Sequence, residues 1–406
     1  MSLKTILFLA TAAVAAQALT INGLADKPAM GWNTWNKYAE TIDEGLIRRT
    51  ADALVSSGLA SAGYVYVNLD DTWQGPRDPM TKRITADPQR FPSGMKALGE
   101  YIHSKGLKFG IYSSAGTKTC AGREGSLNYE SQDAASYAEW GVDYLKYDNC
   151  FNEGQSGTLE KSFARYKKMS DALKATGRPI YYSMCNWGED LPWLWANTIA
   201  QSWRTTGDIG LSWEAPSPYC PCNTTGCMPA GAHCSVMNIL DKSAKLDAYG
   251  GPNKGWNDLD MLEVGNGGMN TREQLSHFML WAALKSPLIL GNDVTSMTPE
   301  DKRILMAREI IAVNQDALGV PAKLVVDNNR VTQIYAGPVV GGTVAVLLNR
   351  SDKPIDITAQ WTQLGLSADA TVAVRDIFAR KDLGSFTGSF TAKALQPHGA
   401  LMITLK

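Results

Sequence analysis

The sequence predicts a (β/α)8 barrel followed by an antiparallel β-sandwich. Three observations carry this: eight short strand-like runs, amphipathic helical stretches between them, and a change near residue 319 to turn-punctuated β runs. An open doubly wound sheet fits less well, because no Gly-x-Gly-x-x-Gly turn follows the first run.

The strand-like runs are residues 28–35, 64–71, 108–113, 144–150, 180–185, 202–208, 258–265 and 287–292. A capping box at Thr41 and Glu44 opens a helix with Ile47, Ala51, Leu54 and Val55 on one face. Ser93 caps another, with Met95, Leu98 and Ile102 inward and Gly106 as its stop. A helix over residues 131–140 ends at Gly141, and one carrying Leu159, Phe163, Tyr166 and Leu173 ends at Gly177. Thr298 and Pro299 form a good N-cap and first position for a last helix reaching residue 313. Beyond it, β-rich runs at 331–335, 343–348, 355–359, 371–376 and 400–405 alternate with Gly, Asp, Asn and Pro turns. This part reads as a sandwich with a packing or accessory role. The expected division is 1–18 leader, 19–317 barrel and 318–406 sandwich.

The leader reading rests on a positive start at Lys4, an apolar stretch over 6–16 and the small-x-small site Ala16-Gln-Ala18. That stretch is shorter than the roughly 20 residues a membrane span needs. The chain is therefore expected to be cleaved after Ala18 and secreted. A formal net charge of -1 over 406 residues advertises no surface for nucleic acid or acidic membranes. Of seven cysteines, Cys220, Cys222, Cys227 and Cys234 lie close together, beside Cys120, Cys150 and Cys185. In an oxidising compartment the simplest arithmetic is three pairs and one free thiol. A zinc site fits the cluster poorly, because paired Cys-x-x-Cys knuckles are lacking. Asn223 and Asn349 head glycosylation sequons.

In a barrel of this kind chemistry gathers at the C-terminal strand ends. Those ends carry Trp32, Asp70, Asp71, Tyr112, Lys146, Asp148, Cys185, Trp187, Arg204, Asp208, Asp260 and Met261. Singly each has a structural explanation: Asp208 as a helix cap, Asp260 as a partner for Arg204, Trp32 as core. Lys146 and Asp148, two apart on one strand face, suit an ion pair as well as a site. Together on one rim they point to a site, since unpaired buried carboxylates raise one another's pKa. Carboxylates among Trp, Tyr and Lys suit sugar hydroxyls and ring faces, and glycoside hydrolysis needs two carboxyl groups. Metal-ligand spacings and a Gly-x-Ser-x-Gly elbow are absent from the sequence. Neither metal nor cofactor is expected.

Six ordered motifs resemble those of glycoside hydrolase family 27, and of its secreted eukaryotic α-galactosidases in particular. They are Met30-Gly-Trp-Asn-Thr-Trp-Asn, Leu69-Asp-Asp-Thr-Trp, Gly110-Ile-Tyr-Ser, Tyr144-Leu-Lys-Tyr-Asp-Asn-Cys, Trp203-Arg-Thr-Thr-Gly-Asp-Ile and Trp256-Asn-Asp-Leu-Asp-Met-Leu-Glu-Val-Gly-Asn. The resemblance implies retaining hydrolysis of α-galactosides, with Asp148 as nucleophile, kept ionised by Lys146, and Asp208 as acid/base. It implies that Asp70 and Asp71 bind the 4- and 6-hydroxyls of galactose and that Lys146 and Arg204 serve the 3- and 2-hydroxyl side. Trp32, Tyr112 and Met261 match pocket walls, and Cys185 and Trp187 match residues whose bulk excludes a 2-acetamido group. A Cys120–Cys150 bridge is also implied, whereas Thr72 replaces a cysteine found in many relatives, and Leu259 a proline. The rival readings are a β-L-arabinopyranosidase, an α-N-acetylgalactosaminidase or a sugar-binding relative without catalysis. Oligomeric state is left open.

Overall fold

The computed structural model describes residues 23–215, 220 and 233–406. The expected leader, Asn223, Cys222 and Cys227 lie outside these residues. Eight parallel strands form the first sheet: β1 Met30–Asn33, β2 Tyr66–Asn68, β3 Lys108–Ser114, β4 Tyr144–Asp148, β5 Tyr181–Cys185, β6 Ser202–Arg204, β7 Trp256–Asp258 and β8 Leu288–Leu290. Their order is β7-β6-β5-β4-β3-β2-β1-β8. The ring closes just past β7, where Leu262 bridges Leu290 and its N–H donates to Ile289 O at 2.8 Å.

Alternation along each strand sorts side chains between two environments. On β4, Leu145 and Tyr147 enter the large core beneath the helices, while Tyr144 faces the barrel interior. Tyr144 stacks there on Tyr181, with ring centroids 4.9 Å apart. Lys146 and Asp148 follow Tyr144 on that inward face. Gly110 of β3 has no side chain for a steric reason: a β-carbon there would lie 1.8 Å from Asn68 Oδ1.

Helices begin on local chemistry, though not always at the expected residue. Asp43, not Thr41, caps the helix Glu44–Ser56 by accepting from Leu46 N at 2.6 Å. Glu44 instead accepts from Ser93 N and Oγ. Thr298 caps as expected, in a capping box with Asp301, but the helix stops at Leu305 and a second runs Arg308–Asn314.

The C-terminal part has eight strands where sequence patterning reveals five: β9 Lys323–Asn328, β10 Thr332–Val339, β11 Gly342–Asn349, β12 Ile355–Gln360, β13 Thr371–Asp376, β14 Lys381–Thr387, β15 Ser389–Leu395 and β16 Ala400–Leu405. Six form an antiparallel sheet, β14-β13-β16-β11-β10-β9, and β12 pairs with β15. The unpredicted β9, β14 and β15 carry many exposed residues, so their apolar alternation is weak. One face of the large sheet, with Tyr335, Val344, Val346, Leu348 and Met402, joins the barrel core. The other, with Ile334, Ala345, Leu347 and Ile403, packs on Ile357, Ala359, Trp361 and Phe390.

Asn349 corrects a sequence expectation. Its side chain is buried, its Nδ2 donates to Lys353 O at 2.9 Å and Leu395 O at 2.8 Å, and its Oδ1 accepts from Ser351. A glycan on Nδ2 would remove at least one of these bonds and require space the fold does not leave. Mass spectrometry of chain secreted by a glycosylating host is expected to find Asn349 unmodified; substantial occupancy in folded, active material would contradict this.

Candidate active site

At the end of β4, Asp148 Oδ1 accepts from Asn149 N at 2.8 Å and Oδ2 from the Tyr112 hydroxyl at 3.0 Å. Tyr112 stands on β3 in register with Lys146, and Cys185 of β5 in register with Asp148. The sulfurs of the Cys120–Cys150 disulfide lie within 4.8 Å of an Asp148 carboxylate oxygen. These three residues are close enough together to suggest a metal site, but the sulfurs are bonded to each other and offer no thiolates. Behind the carboxylate, Tyr166 donates to Asp148 O at 3.1 Å, and Asn149 is held by Arg165 and by Glu189.

The nearest cation does not bond Asp148. Lys146 Nζ sits 2.8 Å from Asp70 Oδ2, which also accepts from Asn33 Nδ2 at 2.8 Å. The expected role of Lys146 in keeping Asp148 ionised is therefore only partly met. Burial lifts the Asp148 carboxyl to about 7, with Lys146 opposing the shift and Asp208 adding to it. Asp71 is held by backbone donors: its Oδ2 accepts from Ala121 N at 2.8 Å and its Oδ1 from Thr72 N at 2.7 Å. It thus ties the disulfide-bearing loop to β2, and burial raises its carboxyl too.

A second cation organises the other side. Arg204 Nη2 lies 2.7 Å from Asp260 Oδ2 and 3.1 Å from Asp208 Oδ1, and Nη1 lies 3.6 Å from Cys185 Sγ. Asp208 is the open member of the group, with 42% of its side chain exposed. Burial raises its carboxyl, but Arg204, followed by Lys146, overrides this and holds it below the usual value. In the free site burial thus pushes the Asp148 carboxyl up, while Arg204 holds the Asp208 carboxyl down. The reason is geometric: each cation is bonded elsewhere than on Asp148, while one of them touches Asp208.

Trp32 needs correction. It pairs in register with Val67 and Leu290, shares their outward face and is 0% exposed, with Nε1 donating to Asn292 O at 2.7 Å. No ring surface remains for a sugar. Trp35, three residues on, is only partly buried and packs on the inner cluster that contains Met261. Tyr112, Cys185, Arg204 and Asp260 gather where expected, while Trp187 is half-buried on a left-handed backbone (φ 57°). Two supporting residues went unnoticed in the sequence. Asn33 braces Asp70, and Asp258 Oδ1 accepts from Asp260 N at 2.8 Å, holding the left-handed Asp260 (φ 77°) toward Arg204. Burial lifts Asp258 to about 6. Strand periodicity offered a signal for it, because Asp258 stands two residues from Asp260. Beneath the carboxylates a cavity of about 20 Å³, lined by Lys146, Cys185, Arg204, Asp258 and Asp260 among others, has room for one water.

A family profile described as alpha galactosidase A matches residues 27–316, and one described as the alpha galactosidase C-terminal beta sandwich domain matches 329–405. The chain belongs to glycoside hydrolase family 27. Within this family it is 51% identical over 340 residues to α-galactosidase mel1 of Schizosaccharomyces pombe, covering 82% of this chain and 78% of that one. Its structure is similar to that of α-galactosidase I from Mortierella vinacea, with a TM-score of 0.91, 49% identity and coverage of 95% and 98% of the two chains. The α-galactosidase MEL1 from Saccharomyces cerevisiae, also solved with raffinose, superposes with a TM-score of 0.90 at 35% identity, over 95% and 99% of the chains.

The disulfide makes a testable claim about the site. Cys120 and Cys150 are 30 residues apart, so replacing both with Ser is expected to cost about 3–4 kcal/mol of stability. Because the bridge packs on Asp148, activity below the melting transition should fall as well. Denaturant unfolding with steady-state assays checks both, and unchanged turnover in a destabilised variant would detach the bridge from the site.

Proposed function

We propose that the chain is a retaining α-galactosidase, releasing terminal α-galactosyl residues by double displacement, and that it works as a secreted enzyme. The observation carrying this reading is the pair of carboxylates Asp148 and Asp208 at one barrel mouth, flanked by the Asp70–Lys146 and Arg204–Asp260 pairs. Family membership supports the sugar, and two disulfides among the described residues, Cys120–Cys150 and Cys220–Cys234, fit an oxidising compartment. Asp148 attacks the anomeric carbon while Asp208 protonates the leaving oxygen; Asp208 then activates water to release the sugar.

Hydroxyl recognition follows the charged pairs. Asp70 and Asp71 receive the 4- and 6-hydroxyls, Lys146 the 3-hydroxyl and Arg204 the 2-hydroxyl, with Trp35, Tyr112 and Met261 as walls. The buried Cys185 sulfur beside Arg204 supports an unsubstituted 2-hydroxyl on that side, and the bulk of Trp187, two residues on, is taken to act in the same sense. The chain should accordingly turn over nitrophenyl α-galactoside far better than the N-acetylgalactosaminide. Comparable rates on both would remove that specificity argument. Asp148→Asn is expected to lower hydrolysis roughly 10³-fold or more while sugar binding persists. Full activity in this variant would reject the enzyme reading.

The pH dependence follows from the coupled pair. Catalysis uses the state with one proton shared between Asp148 and Asp208. That proton is lost as pH rises through about 7, and a second is gained only below the ordinary carboxylate range. The kcat/KM for an aryl α-galactoside should therefore be level across mildly acidic pH and fall above about 7. A profile still climbing at higher pH would contradict the assignment.

A further inference from the structure

Asp208 has an exposed carboxylate whose bonded side-chain partner is Arg204, so its placement depends largely on the backbone that carries it. The near end of that backbone is fixed by the barrel: Ile209 N donates to Asp260 Oδ2 at 2.8 Å, and Asp208 O accepts from Cys234 N at 2.7 Å. The far end, residues 212–214, is held in part by the C-terminal sandwich. Trp213 is buried and stacks on His398, with ring centroids 5.7 Å apart and planes at 20°. His398 lies in the turn between β15 and β16, and its Nδ1 is 2.7 Å from Glu273 Oε1. Its carbonyl accepts from Ser276 Oγ at 2.8 Å, so the turn is docked on the helix Thr271–Ala283. Next along the loop, Glu214 meets Arg350 at 3.1 Å. Arg350 is almost wholly buried and also bonds Asp241, at 2.6 Å, on the helix Val236–Ser243. That helix turns back to the loop, with Val236 N and Met237 N donating to Ser212 O and Trp213 O.

We propose that the sandwich is a working part of the active site, and that His398 and Arg350 are positioning residues acting on Asp208 through Trp213 and Glu214. The assignment rests on Asp208 being the acid/base. It gives the second domain a specific task in place of the general packing or accessory role expected from its sequence. A barrel can orient residues on its strands unaided, but Asp208 stands beyond the end of β6, on a loop. Misplacing a reacting group by about 1 Å costs on the order of 10²-fold in rate, so a clamp on this loop bears directly on proton transfer.

The test uses the full chain and the variants Glu214→Gln and His398→Asn. Glu214 is half-exposed, and Asn tolerates the left-handed backbone of His398 (φ 57°), so both should fold. Arg375→Met is the control: it breaks another contact between the domains, to Glu309 at 2.8 Å, away from this loop. The readout is kcat/KM on p-nitrophenyl and 2,4-dinitrophenyl α-galactosides, because the better leaving group needs less protonation. The two loop variants should lose about 10-fold on the first substrate and under about twofold on the second, a muted copy of Asp208→Ala. Arg375→Met should show no such split. Equal losses on both substrates, or the same split in the control, overturn the proposal. If Asp208→Ala itself fails to discriminate, the acid/base assignment falls and takes the proposal with it; if it discriminates and the loop variants do not, the proposal alone falls.

Discussion

Six carboxylates meet two cations at the mouth of this barrel. Asp70, Asp71, Asp148, Asp208, Asp258 and Asp260 crowd around Lys146 and Arg204, and most of their side chains are cut off from water. Removing a charge from solvent is costly unless it is paired and hydrogen-bonded, and a shortage of cations leaves some carboxylates to be neutralised by protons. Much of the site's behaviour follows from that imbalance. Asp70 and Asp260 bond the cations directly, and burial pushes up the carboxyls of Asp148 and Asp258, which do not.

The same imbalance explains why the Asp148 and Asp208 carboxyls are shifted in opposite directions. Asp208 reaches water and Arg204, while Asp148 reaches neither and relies on Tyr112 and a backbone N–H. A sugar occupying the mouth would cover Asp208 and remove the water that helps keep it ionised. Desolvation raises a carboxyl's pKa, so covering Asp208 would favour its protonated form, the form the proposed acid role needs.

Anchorage outside the barrel is the second theme. Loops at strand ends lack the register that a parallel ladder imposes, and this chain supplies it by other means. Asp71 and the Cys120–Cys150 bridge hold the loop after β3, and the sandwich holds the loop after β6. The large sheet serves both purposes, with one face continuous with the barrel core and the other closing its own. No helix among the described residues is long and apolar enough to cross a membrane.

The sequence by itself determined the barrel, the sandwich after it and nearly all of the rim, because strand alternation and terminal acids are local properties. Lys146 and Asp148 could be put on one face from spacing alone. Partner choice was legible only in part: Asp260 could be offered as a partner for Arg204, but that Lys146 bonds Asp70 rather than Asp148, and that Arg204 reaches Asp208 as well, depends on which strand ends the closed ring brings together. Trp32 and Trp35 show the finer limit. Both are tryptophans in one short motif, and only the register with Val67 and Leu290 turns the first outward into core. Asn349 shows it again, as a sequon whose amide the folded β11 claims for itself. Local pattern determined what each segment becomes; long-range closure decided which charges face each other, and that decides the chemistry.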